Sequence, residues 1–267
     1  MIQSLHLTER GGSQMVGIYF SGTGNTRHCV ETFMREYGGI GEAYSIESDN
    51  AVQKICADED IVIGYPVQFS SIPKILQDFI AGYSHIWNNK RIFIIATMGL
   101  FSGDGAGILA RLLRRHGAMI VGGLHLKMPD SIGDERALKR TLAQNQALVL
   151  KAEQKIKRAV QEFKRGCPPQ DGIGFLNHMA GLLGQRLYFY HKTRAYSNRL
   201  KIDKSRCIRC GKCALICPMK NISLTEGQAI PKGKCTMCYR CINFCPVQAI
   251  TLLGKRVYEQ CHIERYL

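Results

Sequence analysis

Eight of the twelve cysteines fall between Cys207 and Cys245, in two copies of one frame. The first copy is Cys207, Cys210, Cys213, Cys217, Pro218, and the second, 28 residues on, is Cys235, Cys238, Cys241, Cys245, Pro246. Ile222 and Leu224 recur as Ile250 and Leu252, which marks an internal duplication. No other feature constrains the fold as much, because the chain has to close around a centre that takes this many thiolates. Zinc is the plain alternative, but structural zinc sites use four ligands per ion, usually as paired Cys-x₂-Cys. A triplet with a remote fourth cysteine, repeated with prolines in register, suits an iron–sulfur cubane instead. Three close thiolates wrap three corners, and the loop's amides point at the sulfides. The fourth cysteine is carried off on a short helical turn, and the proline after it fixes the chain's exit.

Over roughly residues 202–254 the sequence resembles bacterial two-cluster ferredoxins, on the two frames just given. The resemblance implies a small α+β fold built from a βαβ duplication and two [4Fe–4S] clusters within tunnelling reach of each other. In that spacing the fourth cysteine serves the other cluster. Cys207, Cys210 and Cys213 are therefore expected to share one cluster with Cys245, and Cys235, Cys238 and Cys241 the second with Cys217. Cys29 and Cys56 read as small buried hydrophobes. Cys167 and Cys261 have no partner at ligand spacing.

Cysteines crowded in this way point to a metal site in a reducing cytoplasm rather than to a secreted disulfide scaffold. At 267 residues and 45% hydrophobic, the chain has material for one large core or two smaller ones. No apolar run reaches the roughly 18–20 residues of a membrane span. Residues 1–14 read as a disordered leader or as the product of an upstream start codon, Met15 standing just before the first strand-like run.

The first half opens on Val16–Phe20, a short apolar run suited to a buried strand. Ser21-Gly22-Thr23-Gly24-Asn25-Thr26 follows at once, and then Cys29, Val30, Phe33, Met34 and Tyr37 fall on one helical face. Strand, glycine-rich loop and helix make an anion site: the helix N-terminus offers unpaired amides and a partial positive charge. The loop is not a Walker loop and not the dinucleotide Gly-x-Gly-x-x-Gly. Ser21, Thr23, Asn25 and Thr26 supply donors that can hold a phosphate without a lysine.

Ser21 to Thr26 resemble the FMN phosphate loop of flavodoxins, and residues 15–165 fit that family. Asp60–Gly64 and Arg91–Ala96 read as further buried strands, each followed by a loop, and Ala118–Val121 begins another. Pro73 opens a helix with Ile75, Leu76, Phe79, Ile80 and Tyr83 on its apolar face. Alternating strands and helices argue a doubly wound parallel sheet, five-stranded in this family, with the ligand at the strands' carboxyl ends. The resemblance then places Pro66, Val67, Gln68 and Phe69 on one side of the flavin and Thr97, Met98, Gly99, Leu100 and Phe101 on the other. Phe69 and Phe101 are the candidate ring-stackers. Residues 65–71 contain no glycine, whereas many flavodoxins carry one there whose peptide turns to accept the flavin N5–H.

Asp134 to about Arg165 reads as one long helix closing the first domain. Residues 166–201 read as a basic amphipathic connection to a second domain at 202–267, with a stripe over Phe175, Leu176, Met179, Leu182, Leu183 and Leu187. For 172–200 three readings stand: packing between domains, a helix on a membrane surface, and a partner-binding helix. His178 and His191 read as structural or solvent-facing. The formal charge of +15 lies wholly in residues 151–267, residues 1–150 being balanced. Without a recognition motif this charge does not point to nucleic acid; it points to an acidic redox protein as partner.

The whole pattern resembles fusions of a flavodoxin-like domain to a two-cluster ferredoxin domain. That resemblance implies an electron carrier working between FMN, two [4Fe–4S] clusters and a partner enzyme. The alternative is an FMN-dependent reductase fed through the clusters, with Tyr65 and Gln68 near the flavin loop.

Overall fold

The computed structural model describes residues 15–38, 42–68, 71–100, 104–174 and 196–267. The 1–14 leader, the 175–187 stripe with His178 and His191, and both Phe69 and Phe101 lie outside the described residues.

The first domain runs β1 (Met15–Tyr19), α1 (Asn25–Gly38), β2 (Ala43–Ser45), α2 (Ala51–Ala57), β3 (Asp60–Pro66), α3 (Lys74–Gly82), β4 (Arg91–Met98), α4 (Gly105–Arg114), β5 (Met119–Lys127) and α5 (Leu142–Lys164). The strands form one parallel sheet in the order β2-β1-β3-β4-β5. Because the central strands are buried on both faces, they read as continuous apolar runs. Ile61, Ile63 and Tyr65 enter the core on one face, and Val62 the core on the other. The second face packs Phe33 of α1 on Phe93 of β4, centroids 5.1 Å apart, with Phe163 of α5 edge-on to both. At Gly64 the helix comes so close that an added Cβ would lie 2.3 Å from Val30 Cγ2. The chain leaves β1 toward β2 and then crosses to β3, so a crevice opens at the carboxyl ends of β1 and β3.

The last helix differs from the one expected over 134–165. It begins at Leu142, where Thr141 and Gln144 form a capping box through bonds of 3.2 and 2.9 Å. A 3₁₀ turn at Arg136–Leu138 precedes it. Asp134 is drawn away because its Oδ2 accepts from the amides of Leu252, Leu253 and Gly254 at 2.6–3.1 Å. β2 and α2 had no counterpart in the sequence reading: β2 is three half-buried residues with no apolar run. Cys56, expected inside, is exposed, because Ala51 and Ile55 take the inward face of α2; Cys29 is buried.

The second domain holds β6 (Lys201–Ile202), α6 (Lys212–Leu215), β7 (Ile222–Thr225), β8 (Gln228–Pro231), α7 (Arg240–Asn243) and β9 (Ile250–Thr251). β6 pairs with β9, and β7 with β8, both antiparallel. The duplication is written into the backbone: Arg209 and Met237, Gly211 and Tyr239, Lys220 and Gln248 are all left-handed, each pair 28 apart. It breaks where the second copy meets the first domain, since Leu252 is 5% exposed and its counterpart Leu224 50%.

The chain then returns to the first domain. Ile263 is fully buried and Tyr266 nearly so, in the core that holds Val30 and Phe33. Burying Ile263 contributes roughly 1.5–3 kcal/mol. No helix among the described residues is long and apolar enough to cross a membrane.

Candidate functional site

Ser21 to Thr26 connect β1 to α1. Gly24 takes φ +92°, and an added Cβ would meet Ile263 Cγ2 at 2.3 Å, so both the backbone and the returning C-terminal segment require glycine there. Ser21 Oγ accepts from the Gly24 amide at 3.1 Å. The remaining side chains tie the loop to the neighbouring strand ends. Thr26 Oγ1 pairs with Thr97 Oγ1 at 2.7 Å, Thr23 Oγ1 with Ser131 Oγ at 2.8 Å, and Asn25 Nδ2 donates to Pro129 O at 2.7 Å. The Thr23–Ser131 pair spends one proton on itself and leaves one to donate elsewhere, whereas Thr97 Oγ1 also donates to Tyr65 O at 3.5 Å, so that Thr26 gives its proton to Thr97. Asn25 Oδ1 is buried without a partner. The first-turn amides of α1 have no intrahelical acceptor. Free amides, a spare hydroxyl proton of the Thr23–Ser131 pair and an orphaned acceptor suit a phosphate ester with a hydroxylated chain, which is the chemistry of FMN.

Above the loop lies a cavity of about 280 Å³, near the low end of the roughly 300–1,000 Å³ typical of ligand sites. Ser21, Gly22, Thr23, Asn25, Thr26, Pro66, Val67, Gln68, Thr97, Met98, Gly99 and Leu100 line it, while Gly24 faces away toward Ile263. Three sets of lining residues escaped the sequence reading: Met128 to Ile132 after β5, Leu138, and Met237, Cys238 and Tyr239 from the second domain. The first set could have been found, since it follows a strand just as the site loops follow β1, β3 and β4. The third set carried no signal in the sequence, because a fold between two domains brings it here.

Two polar groups on this wall are set by burial. Asp130 accepts from the Ile132 amide at 2.8 Å and packs so tightly on Gly99 that a Cβ there would lie 2.3 Å from Oδ2; burial raises its carboxyl above the usual range. Burial, and after it the Asp134 carboxylate, raise the Tyr239 phenol, which therefore stays neutral. Of the two candidate donors near the flavin loop, Tyr65 is fully buried and gives its proton to Gly105 O, and Gln68 Nε2 donates to Met237 O at 3.1 Å.

The cysteines surround two further cavities. Cys217, Cys235, Cys238 and Cys241 line one; Cys207, Cys210, Cys213 and Cys245 line the other. The fourth cysteine of each frame thus lies with the triplet of the other. Backbone amides point at the sulfurs in register, from Asn221 to Cys217 at 3.3 Å and from Ala249 to Cys245 at 3.4 Å. Among the described residues no three His, Cys, Asp or Glu side chains converge as one metal ion needs. Four sulfurs around one void fit the corners of a cubane.

The flavin-type cavity and the first of these share a wall, since Cys238 and Tyr239 line both. Beside it, an added Cβ at Gly22 would stand 2.0 Å from Cys238 O, so the Ser21–Thr26 loop and the cysteine loop touch through bare backbone. Arg240 fixes the junction. It donates to Ser21 O at 2.8 Å and to both carboxylate oxygens of Glu47 at 2.6 and 2.7 Å. Asn243 Nδ2 adds a bond to Ser131 O at 2.8 Å.

Residues 17–113 match the family model of a flavodoxin domain, and residues 199–246 that of a 4Fe-4S dicluster domain. No curated protein matches the chain. Solved structures similar to it include the two-electron reduced flavodoxin of Megasphaera elsdenii, at 18% identity and TM-score 0.40, covering 55% of this chain and 98% of that one. Flavodoxin 2 of Bacillus cereus aligns at 16% and 0.43, covering 57% and 99%, and the FMN-bound flavodoxin of Fusobacterium nucleatum at 17% and 0.40, covering 57% and 97%.

Proposed function

We propose that this chain, which joins a flavodoxin domain to a 4Fe-4S dicluster domain, passes low-potential electrons in series between FMN, two [4Fe–4S] clusters and an acidic partner protein in the cytoplasm. The observation that carries the reading is the shared wall: Cys238 borders the flavin-type cavity and one cysteine quartet together. When bound, FMN exchanges one or two electrons and each cluster one, so the pair can convert between the two. The protein's part is to hold and insulate. Ser21 to Thr26 bind the phosphate end through amides and hydroxyls. Met237, Cys238 and Tyr239 line the cavity from the second domain. Burial favours a proton on the Asp130 carboxyl at the cavity wall.

A reductase acting on its own substrate needs an open face over the flavin and a free proton donor. Tyr65 and Gln68 are both engaged, and Met237, Cys238 and Tyr239 of the second domain form part of the cavity wall. These contacts favour the carrier. Anaerobic purification followed by iron and flavin determination tests the cofactor content. The reading predicts about eight irons and one FMN per chain, from eight thiolates in two quartets and one phosphate loop. About four irons, or iron without flavin, would contradict it.

A further inference from the structure

We infer that electrons enter or leave this protein at the loop Ile208–Lys212, and that the surface around it docks an acidic redox protein. The inference rests on the reading above, in that the Cys207, Cys210, Cys213, Cys245 quartet holds a cluster.

The two quartets face different surroundings. Cys241 is buried, Met237 and Tyr239 beside the second quartet are buried, and Cys238 is pressed on Gly22. That quartet lies on the side of the first domain, which it meets through Cys238. Cys210, by contrast, is exposed, and Ile208 next to it is 59% exposed. A small protein can approach the first quartet most closely at Cys210, whereas the second quartet has no exposed cysteine, Cys217, Cys235 and Cys238 being half-buried and Cys241 buried. Electron transfer between proteins requires close approach, so the exposed quartet is the terminal.

The surface there has the composition of a docking patch. Leu224 rests on Gly211, 3.3 Å from where its Cβ would be, and Arg209 lies over Gly227 of the β7–β8 turn, so loop and hairpin form one face. Ile208 and Leu224 are its exposed apolar centre, and Leu215, on α6 just after the loop, is 87% exposed. Lys204, Arg206, Arg209 and Lys212 stand around it, all exposed. Residues 199–234 hold nine Lys or Arg against Asp203 and Glu226. Asp203 is exposed and accepts from Ser205 Oγ and the amides of Ser205 and Arg206, hydrogen bonds that hold its carboxyl low, so it offsets one of these positive charges and leaves the patch strongly positive. An apolar centre in a positive rim matches a partner whose own redox centre sits in a negative rim. The fit is to a protein, because apolar side chains surround a terminal that must hand on one electron; no atom or proton moves with it.

The test uses the cluster-loaded, flavin-loaded protein and a small acidic two-cluster ferredoxin as probe. One follows electron exchange by stopped flow and binding by calorimetry, from low to high salt. Lys204→Glu with Arg206→Glu reverses two charges of the rim without replacing a residue that lines a cysteine cavity; because Arg206 also donates to Val247 O in that wall at 3.1 Å, iron is counted on the same samples. Lys151→Glu with Arg158→Glu makes the same change on the exposed face of α5. The wild-type rate should fall steeply with salt, because the Debye length shrinks from roughly 10 Å at 0.1 M to about 3 Å at 1 M. The rim variant should lose about tenfold or more at low salt, with its iron content unchanged, and the α5 variant should stay within about twofold. Equal losses in both variants, or a rate flat in salt, would overturn the surface in favour of net charge alone. Vesicles with 30% phosphatidylglycerol form the second arm: binding to them that the rim variant abolishes, with its rate to the probe intact, would also overturn it. Rim-dependent binding of the probe without electron exchange would instead fault the redox reading and leave the surface standing.

Discussion

Gly22→Ala is the sharpest single perturbation of the junction. The residue sits at the point where the phosphate loop touches the cysteine loop. An added Cβ would lie 2.0 Å from Cys238 O, 2.9 Å from its carbonyl carbon and 3.2 Å from its Cβ. Ordinary contact begins near 3.4 Å, so the two loops must part by about 1.4 Å. Neither is free to do so. Arg240 holds Ser21 O and Glu47, and Asn243 holds Ser131 O. Overpacking of this kind costs about 1–3 kcal/mol. At roughly 2–4 °C per kcal/mol for a chain of this order of size, the melting midpoint should fall by about 2–12 °C. Gly22 has no positive φ, so the clash alone accounts for the loss. Gly38→Ala is the control, at the end of α1 with nothing within 4 Å of the new Cβ; it should be neutral or slightly stabilising. Differential scanning calorimetry under anaerobic conditions, with flavin retention measured on the same samples, reads both variants. A Gly22→Ala protein with wild-type midpoint and wild-type flavin retention would refute the contact between the loops.

Other outcomes follow from the same geometry. Cys210→Ala should remove about half the iron and leave flavin binding intact, because the flavin-type cavity borders only the other quartet; iron analysis that finds no loss removes Cys210 from the ligand set. Thr23→Val with Thr26→Val should weaken FMN binding by roughly 100-fold or more if two hydrogen bonds to a charged group are lost and add, measured by fluorescence titration of the flavin-free protein; an unchanged dissociation constant would move the phosphate elsewhere. Asp134→Ala leaves three amides of 252–254 without their acceptor, at about 1–3 kcal/mol each where they stay buried. Limited proteolysis should then cut between the domains faster than in the wild type, and equal cleavage rates would show that this carboxylate does not hold them together.

Much of this could be read from the residues because their physics is local. A cysteine frame repeated at 28 residues fixes its own loops, which is why the left-handed positions 209 and 237 recur in step. Buried strands such as Ile61–Ile63 and Ile92–Ile95 declare themselves by apolar run, and Ser21 to Thr26 by hydroxyl density. What escaped is what depends on distant parts meeting. Asp134 looked like the start of a helix, yet its carboxylate is taken by amides 118–120 residues away. Ile263 looked like part of the small domain's tail and instead fills the first domain's core against Gly24. Met237 and Tyr239 bear no mark of a flavin site in their own neighbourhood. Short β2 carries too few apolar residues to signal a strand, and Cys56 too little context to say which side of α2 it takes.

The central claim is that electrons move within one molecule across the wall formed by Cys238. Pulse reduction of the anaerobic, fully loaded protein, followed at flavin and cluster wavelengths over a tenfold range of protein concentration, tests it directly. The account predicts that the electron redistributes between flavin and clusters with a first-order rate that does not change with concentration. A rate that rises in proportion to concentration would mean that electrons pass between molecules, and would contradict it.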